Sequence, residues 1–136
     1  MRKYLLDTGI ASDCANGRLG VEERVREAIR RGARIGISTP VLGELFAGIE
    51  HSNAPDRHRR VLWRSINRWT LWPFDAIAAE EYGRLYAQLR RSGRIIQQVD
   101  LQSAAIAITL GDCTVVTKDS DFDAIAGLDV EDWSKP

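Results

Sequence analysis

Four acidic residues mark this chain by where they stand: Asp7, Glu44, Asp100 and Asp119. Asp7 ends the short apolar run Tyr4-Leu5-Leu6 and is followed by Thr8 and Gly9. Glu44 lies one turn into a helix opened by Ser38-Thr39-Pro40. Asp100 opens a very apolar helix, Leu101 to Leu110. Asp119 follows the strand-like Thr114-Val115-Val116-Thr117 by two residues. A charge delivered by a buried strand costs free energy unless something pairs with it. Several carboxylates side by side cannot all stay ionised without a cation. Ligands made of oxygen alone, with no His or Cys, suit the hard ions Mg²⁺ and Mn²⁺. One such ion, or a pair, activates water and stabilises an in-line displacement at phosphorus.

Each acid also has a structural reading. Asp7 can close its strand in a turn, and Glu44 can be a solvated helix residue. Asp100 is a natural N-cap, although Leu101, Ala104, Ala105 and Ile108 make its helix a buried one and bring the cap near the core. Asp119 can cap the last short helix, while Asp121 and Asp123 fit a solvated turn. The joint pattern, with every acid at a strand-to-helix edge, is more specific than any single member.

The elements that must position these acids follow from periodicity. After the first strand, Ile10 to Asn16 reads as a short helix or turn. Val21 to Arg31 has Val21, Val25, Ala28 and Ile29 at helical spacing, and Gly32 stops it. Ala33 to Ser38 is a strand. Ser38 then caps a helix running to about His51, with proline in its first turn. Asp56 is expected to cap the next helix, to about Trp69, which carries Arg57, His58, Arg59, Arg60, Arg64 and Arg68. Thr70 to Phe74 is extended, and Asp75 caps a helix from Ala76 to Arg91. After the apolar helix come the strand Thr114 to Thr117, a short acidic helix ending near Gly127, and an edge strand at Leu128 to Val130. Strands alternating with helices predict an α/β fold, a parallel sheet covered on both faces. In such a sheet the strand C-termini and the following helix N-termini share one edge.

Composition excludes several classes. At 136 residues, 44% hydrophobic and 28% charged, the chain fits one globular domain over residues 1–136. No apolar run approaches the roughly 18–20 residues that span a bilayer, and Arg2-Lys3 followed by three apolar residues is no signal peptide. A cytoplasmic location is expected. Cys14 and Cys113 lack metal-like spacing and read as small buried thiols. Net charge is zero but segregated: residues 1–95 hold 17 basic against 11 acidic side chains, and residues 96–136 hold 2 against 8. A basic body beside an acidic end suits an anionic polymer and a cation in one domain.

Four segments together resemble the PIN domain, and within it the VapC-type toxin ribonucleases of toxin–antitoxin pairs. They are Leu5-Leu6-Asp7-Thr8-Gly9-Ile10, the stretch from Ser38 to Ile49 around Glu44, the stretch from Val99 to Gly111 around Asp100, and Val115 to Trp133 with its Thr-Lys-Asp-Ser-Asp-Phe core. The resemblance covers nearly the whole chain and implies a three-layer α/β/α sandwich around a parallel sheet. It implies a Mg²⁺-dependent endoribonuclease, with Mn²⁺ a substitute, whose metal-binding acids are Asp7, Glu44, Asp100 and Asp119. Asp121 is the alternative fourth acid. Thr8 matches a hydroxyl that orients a metal-bound water or Asp7. Gly9 departs from the asparagine such toxins often carry. The implied partners are an RNA substrate, a small cognate VapB-like antitoxin and a second copy of the chain, with a toxin–antitoxin hetero-oligomer as the larger assembly. The arginine-rich segment 57–68 is a candidate RNA-facing or antitoxin-facing surface, or a solvated helix face. His51 and His58 are not assigned to catalysis.

Three other readings differ in what they require. Asp7-Thr8-Gly9 is also the signature of aspartic proteases, but those pair two copies on an all-β fold. A catalytically silent protein or RNA-interaction module would keep the fold and lose the acids, and all four are present. A phosphoacceptor domain would use an aspartate after the first strand with a late lysine, for which Lys118 is available.

Overall fold

The computed structural model describes residues 1–135 of the chain. Five strands form one sheet: β1 (Lys3–Leu6), β2 (Arg34–Ser38), β3 (Thr70–Trp72), β4 (Cys113–Val116) and β5 (Asp129–Glu131). Six helices and a 3₁₀ turn connect them: α1 (Thr8–Ala15), α2 (Val21–Arg30), α3 (Thr39–Glu50), α4 (Pro55–Ile66), α5 (Ala76–Arg91), α6 (Gln98–Leu110), and the turn Ser120–Ala124. The sheet order is β3-β2-β1-β4-β5, and every pairing is parallel. The chain winds from β1 outward to β3, then crosses back through α5 and α6 to β4 on the other side of β1. That reversal is the topological switch point, where sheets of this kind place their sites.

Strand side chains alternate between two cores. Leu5 and Val115 face a core built with α5 and α6, from Leu85, Leu89, Leu101, Ala104 and Ala105. Leu6, Val116, Ile35 and Ile37 face the opposite core, with Ile10, Val21, Val25, Val41, Leu62 and Ile66 from α1 to α4. The result is the expected three-layer sandwich. Gly36 is needed where β3 approaches β2, since a Cβ there would lie 2.1 Å from the Thr70 carbonyl oxygen.

Local signals set most element ends. Ser38 and Asp75 cap α3 and α5 by accepting from the amides of Val41 and Ala78. Two expected caps are replaced. Pro55 takes the first position of α4 and Ala54 its cap position without a side-chain bond, so Asp56 lies in the first turn instead. In α6 the cap is Gln97, whose side chain accepts from the Asp100 amide. Asp100 thus sits inside the first turn, a position that also favours a negative charge. Both cysteines are buried and unpaired, their thiols pushed up to about 11 by burial.

Candidate functional site: an acidic edge at the switch point

The C-terminal ends of β1 and β4 deliver two site residues directly. Asp7 follows β1 and caps α1, its Oδ1 accepting from the Ile10 amide at 2.9 Å. Its backbone amide donates to the Val116 carbonyl at 3.0 Å, which locks it to the end of β4. The Thr117 hydroxyl donates to Asp7 Oδ2 and accepts from the Asp119 amide at 2.9 Å. One threonine therefore joins two of the acids. Asp119 caps the 3₁₀ turn, its Oδ1 accepting from the Asp121 amide at 2.9 Å. The capping reading of Asp119 is real, and it leaves the other carboxylate oxygen available.

The other two acids come from helices. Glu44 on α3 is half-buried and held through both oxygens: Thr8 donates to Oε1 at 2.5 Å and Gln97 donates to Oε2 at 2.7 Å. Gln97 uses its other side-chain atom to accept from the Asp100 amide at 3.1 Å. Thus one side chain bridges α3 and α6. Deeper in, the Ser38 and Ser103 hydroxyls meet at 2.8 Å, both fully buried, and fix the start of α3 against α6. Of the two roles the resemblance implied for Thr8, orienting Asp7 or a metal-bound water, the first is not seen: its hydroxyl donates to Glu44, while the Asp7 carboxylate accepts from Thr117 and Ile10.

The acids share one field. Asp100 is pushed up to about 6, first by burial, then by the charges of Asp7, Asp119, Glu44 and Asp121 in that order. Asp7 is also raised, mainly by burial, with Asp119 adding to the rise. The hydroxyl of Thr117, the Ile10 amide and the Lys118 charge oppose it. Asp119 weighs on both Asp7 and Asp100, whereas Asp121 is exposed and acts on Asp100 more weakly than the other three acids. Of the two, Asp119 is the one whose charge is felt by both Asp7 and Asp100.

Among the described residues no three Asp, Glu, His or Cys side chains are drawn into a closed metal cluster. The donor set still fits a hard divalent cation: it is all oxygen, it comes from four separate segments, and Asp100 carries an elevated pKa that a cation would relieve. Thr117 and Gln97 escaped the sequence reading. Thr117 carried the same signal as Asp7, a polar side chain closing an apolar strand, and Gln97 occupied the helix-cap position given to Asp100. At Gly9 a Cβ would lie 3.8 Å from Asp7 Oδ1, an ordinary contact, so sterics do not demand glycine there.

A parallel sheet that gathers oxygen donors at its switch point suits metal-assisted chemistry at phosphorus. The chain matches the PIN domain over residues 4–128. It is 33% identical over 135 residues to the tRNA(fMet)-specific endonuclease VapC of Shigella flexneri, covering 98% of this chain and 100% of that one. Its fold superposes on VapBC2 from Rickettsia felis bound to a promoter DNA fragment with a TM-score of 0.89, at 28% identity over 96% of this chain and 98% of the other. DNA-bound VapBC from Salmonella typhimurium gives 0.87, at 32% identity over 98% and 99%. The chain belongs to the PIN-domain family and, within it, to the VapC ribonucleases, divalent-metal-dependent toxins of toxin–antitoxin pairs. No described helix is long and apolar enough to cross a membrane.

Proposed function

We propose that the cation is Mg²⁺, with Mn²⁺ a substitute, and that Asp7, Asp100 and Asp119 hold it with Glu44 beside them. The observation that carries this is the convergence of four acids on one edge: Asp100 is pushed up to about 6 first by burial and then by the charges of Asp7, Asp119, Glu44 and Asp121. Bound there, the ion supplies Lewis acidity, lowering the pKa of water and screening the phosphodiester. The chain's own residues do the rest. Thr117 holds the Asp7 carboxylate and the Asp119 backbone in one geometry. Gln97 and Thr8 hold Glu44 by both oxygens, so its charge stays aimed at the edge. Asp100, ionised above its elevated pKa, can hold a cation or accept a proton from water.

The substrate is an RNA, and the relatives named as tRNA(fMet)-specific endonucleases make an initiator tRNA the first to test. A small VapB-like antitoxin is the inhibitory partner, supported by the neighbours solved as VapBC complexes. A homodimer within a toxin–antitoxin hetero-oligomer and a cytoplasmic location complete the reading. The test is RNA sequencing after induced expression, with Asp7→Asn as control, followed by purified protein with tRNA in Mg²⁺, Mn²⁺ or chelator. Cleavage that needs the metal and is lost in Asp7→Asn is expected. Full cleavage by Asp7→Asn, or in chelator, would overturn the site assignment.

A further inference from the structure

A second buried carboxylate lies beside the acidic edge, and the hydrolytic site does not use it. Asp13, on α1, is only 6% exposed. Its Oδ2 accepts from Lys118 Nζ at 2.9 Å and its Oδ1 pairs with Arg18 Nε at 3.2 Å. Arg18 is held a second time, donating through Nη2 to the Ser12 hydroxyl at 2.9 Å. A buried carboxylate gripping two cations is a clamp: it fixes long side chains that would otherwise sample many rotamers.

Both cations remain half in solvent, Lys118 at 44% and Arg18 at 57% side-chain exposure. Their placement is not arbitrary. Lys118 stands between Thr117 and Asp119, and its charge reaches Asp7. Arg18 lines an open cleft of about 400 Å³ together with Thr8, Gly9 and Glu44. The acidic edge therefore carries two pinned, solvent-facing positive charges on its α1 flank.

We propose that Asp13, Arg18 and Lys118 form an anion subsite that takes backbone phosphates of the RNA next to the scissile one. The acidic edge repels a polyanion wherever its cation does not reach, so a flanking phosphate needs a positive contact. Pinning by Asp13 orients the donors before the RNA arrives, which lowers the ordering cost of binding. Arg18 and Lys118 act as substrate-binding residues and Asp13 as a positioning residue behind them. This rests on the ribonuclease reading above.

The experiment is cleavage of a short single-stranded RNA in Mg²⁺ over a range of salt, with wild type, Arg18→Gln, Lys118→Gln, Lys118→Arg and Asp13→Asn. Each single variant leaves Asp13 at least one cation or removes its charge, and thermal melts confirm that folding survives. Arg18→Gln and Lys118→Gln should each raise KM about tenfold, the worth of one charge-assisted hydrogen bond, with kcat nearly unchanged. Each should also flatten the dependence of log affinity on log salt by about 0.7, one single-strand phosphate contact. Lys118→Arg should restore most of the affinity, and Asp13→Asn should raise KM with the salt slope retained. Wild-type protein that cleaves no RNA in any divalent metal would sink the ribonuclease reading itself. Active wild type with KM and salt slope unmoved in both Gln variants would sink the subsite alone. Variants that keep KM but lose inhibition by the antitoxin would overturn it in favour of a protein-docking role. Should Asp13→Asn fail to fold, the two Gln variants and Lys118→Arg still decide.

Discussion

Asp7 and Asp13 stand at opposite ends of one short helix, both buried, and the protein treats them in opposite ways. Asp13 is gripped by an ammonium and a guanidinium. Asp7, 9% exposed, receives only a hydroxyl and an amide, and its pKa is raised. Hydrogen bonds of that kind satisfy oxygens without cancelling the charge. A carboxylate left charged next to Asp119 and Asp100 holds free energy that a divalent cation can relieve. The clamped acid is neutralised within its own chain, whereas the unclamped one is the acid proposed to take a cation. The difference is between a carboxylate whose charge is paired and one whose charge is only hydrogen-bonded.

The largest break in this comparison is catalytic. Asp7→Asn and Asp100→Asn should each lower kcat by at least on the order of 10³-fold, as loss of a core active-site group does. Neither should lose stability or antitoxin binding, because each removes an uncompensated charge from the edge. A single-turnover assay beside a thermal melt checks this, and a marked drop in Tm would show that Asp7 is structural after all. Next in size is Thr117→Val, which frees the Asp7 carboxylate while keeping the shape of the side chain. Loss of such a supporting hydrogen bond costs about 10–100-fold in activity or metal affinity. A Mg²⁺ titration of cleavage separates the two effects.

The opposite outcome is expected on the Asp13 side. Removing Arg18 and Lys118 together, as Arg18→Gln with Lys118→Gln, strands a buried carboxylate. The cost should be about 2 kcal/mol, discounted because both cations are partly exposed. Adding Asp13→Asn to that pair should restore most of the loss, a coupling that a double-mutant cycle in urea measures. Additivity without rescue would show that the clamp carries no net stability.

Much of this was legible in the residues. The four acids, Ser38 as the cap of α3 and Asp75 as the cap of α5 each carried a local signal, and alternation of apolar runs gave the parallel sheet. What stayed hidden depends on distance in sequence. Thr8 and Glu44 lie 36 positions apart, and Gln97 and Glu44 53. Thr117 and Asp7 lie 110 apart, and Lys118 and Asp13 105. No local pattern joins such pairs, so hydroxyls and amides that position acids stay invisible until the sheet order is known. The misplaced cap at Asp100 has the same origin. Aspartate outranks glutamine as a cap in isolation, but here Gln97 is also recruited by Glu44 across the helix pair.

The smallest effect is a stability change with pH, and its sign separates the two acids again. Asp100 titrates in the folded protein at about 6 against an ordinary value of 3.8. Between those two values the folded state holds more proton than the unfolded state. Without metal, this group's contribution to stability is therefore full below about pH 4, falls as pH rises to about 6, and is flat above. Asp7, also raised, adds a change of the same sign. With Asp100 only half-buried, solvent screening reduces the Asp100 step to about 1 kcal/mol, or roughly 3 °C in Tm at this chain length. The measurement is the difference in Tm between wild type and Asp100→Asn in chelator from pH 4 to 7.5, which removes the contribution of titrating groups outside the acidic edge. Asp100→Asn should be the more stable by that margin at pH 7 and lose its advantage near pH 4. Mg²⁺ should close the gap at pH 7 by stabilising the wild type alone. A difference that does not vary with pH would mean that Asp100 is not under the pressure of its neighbours, and the unclamped edge would lose its claim to be a cation site.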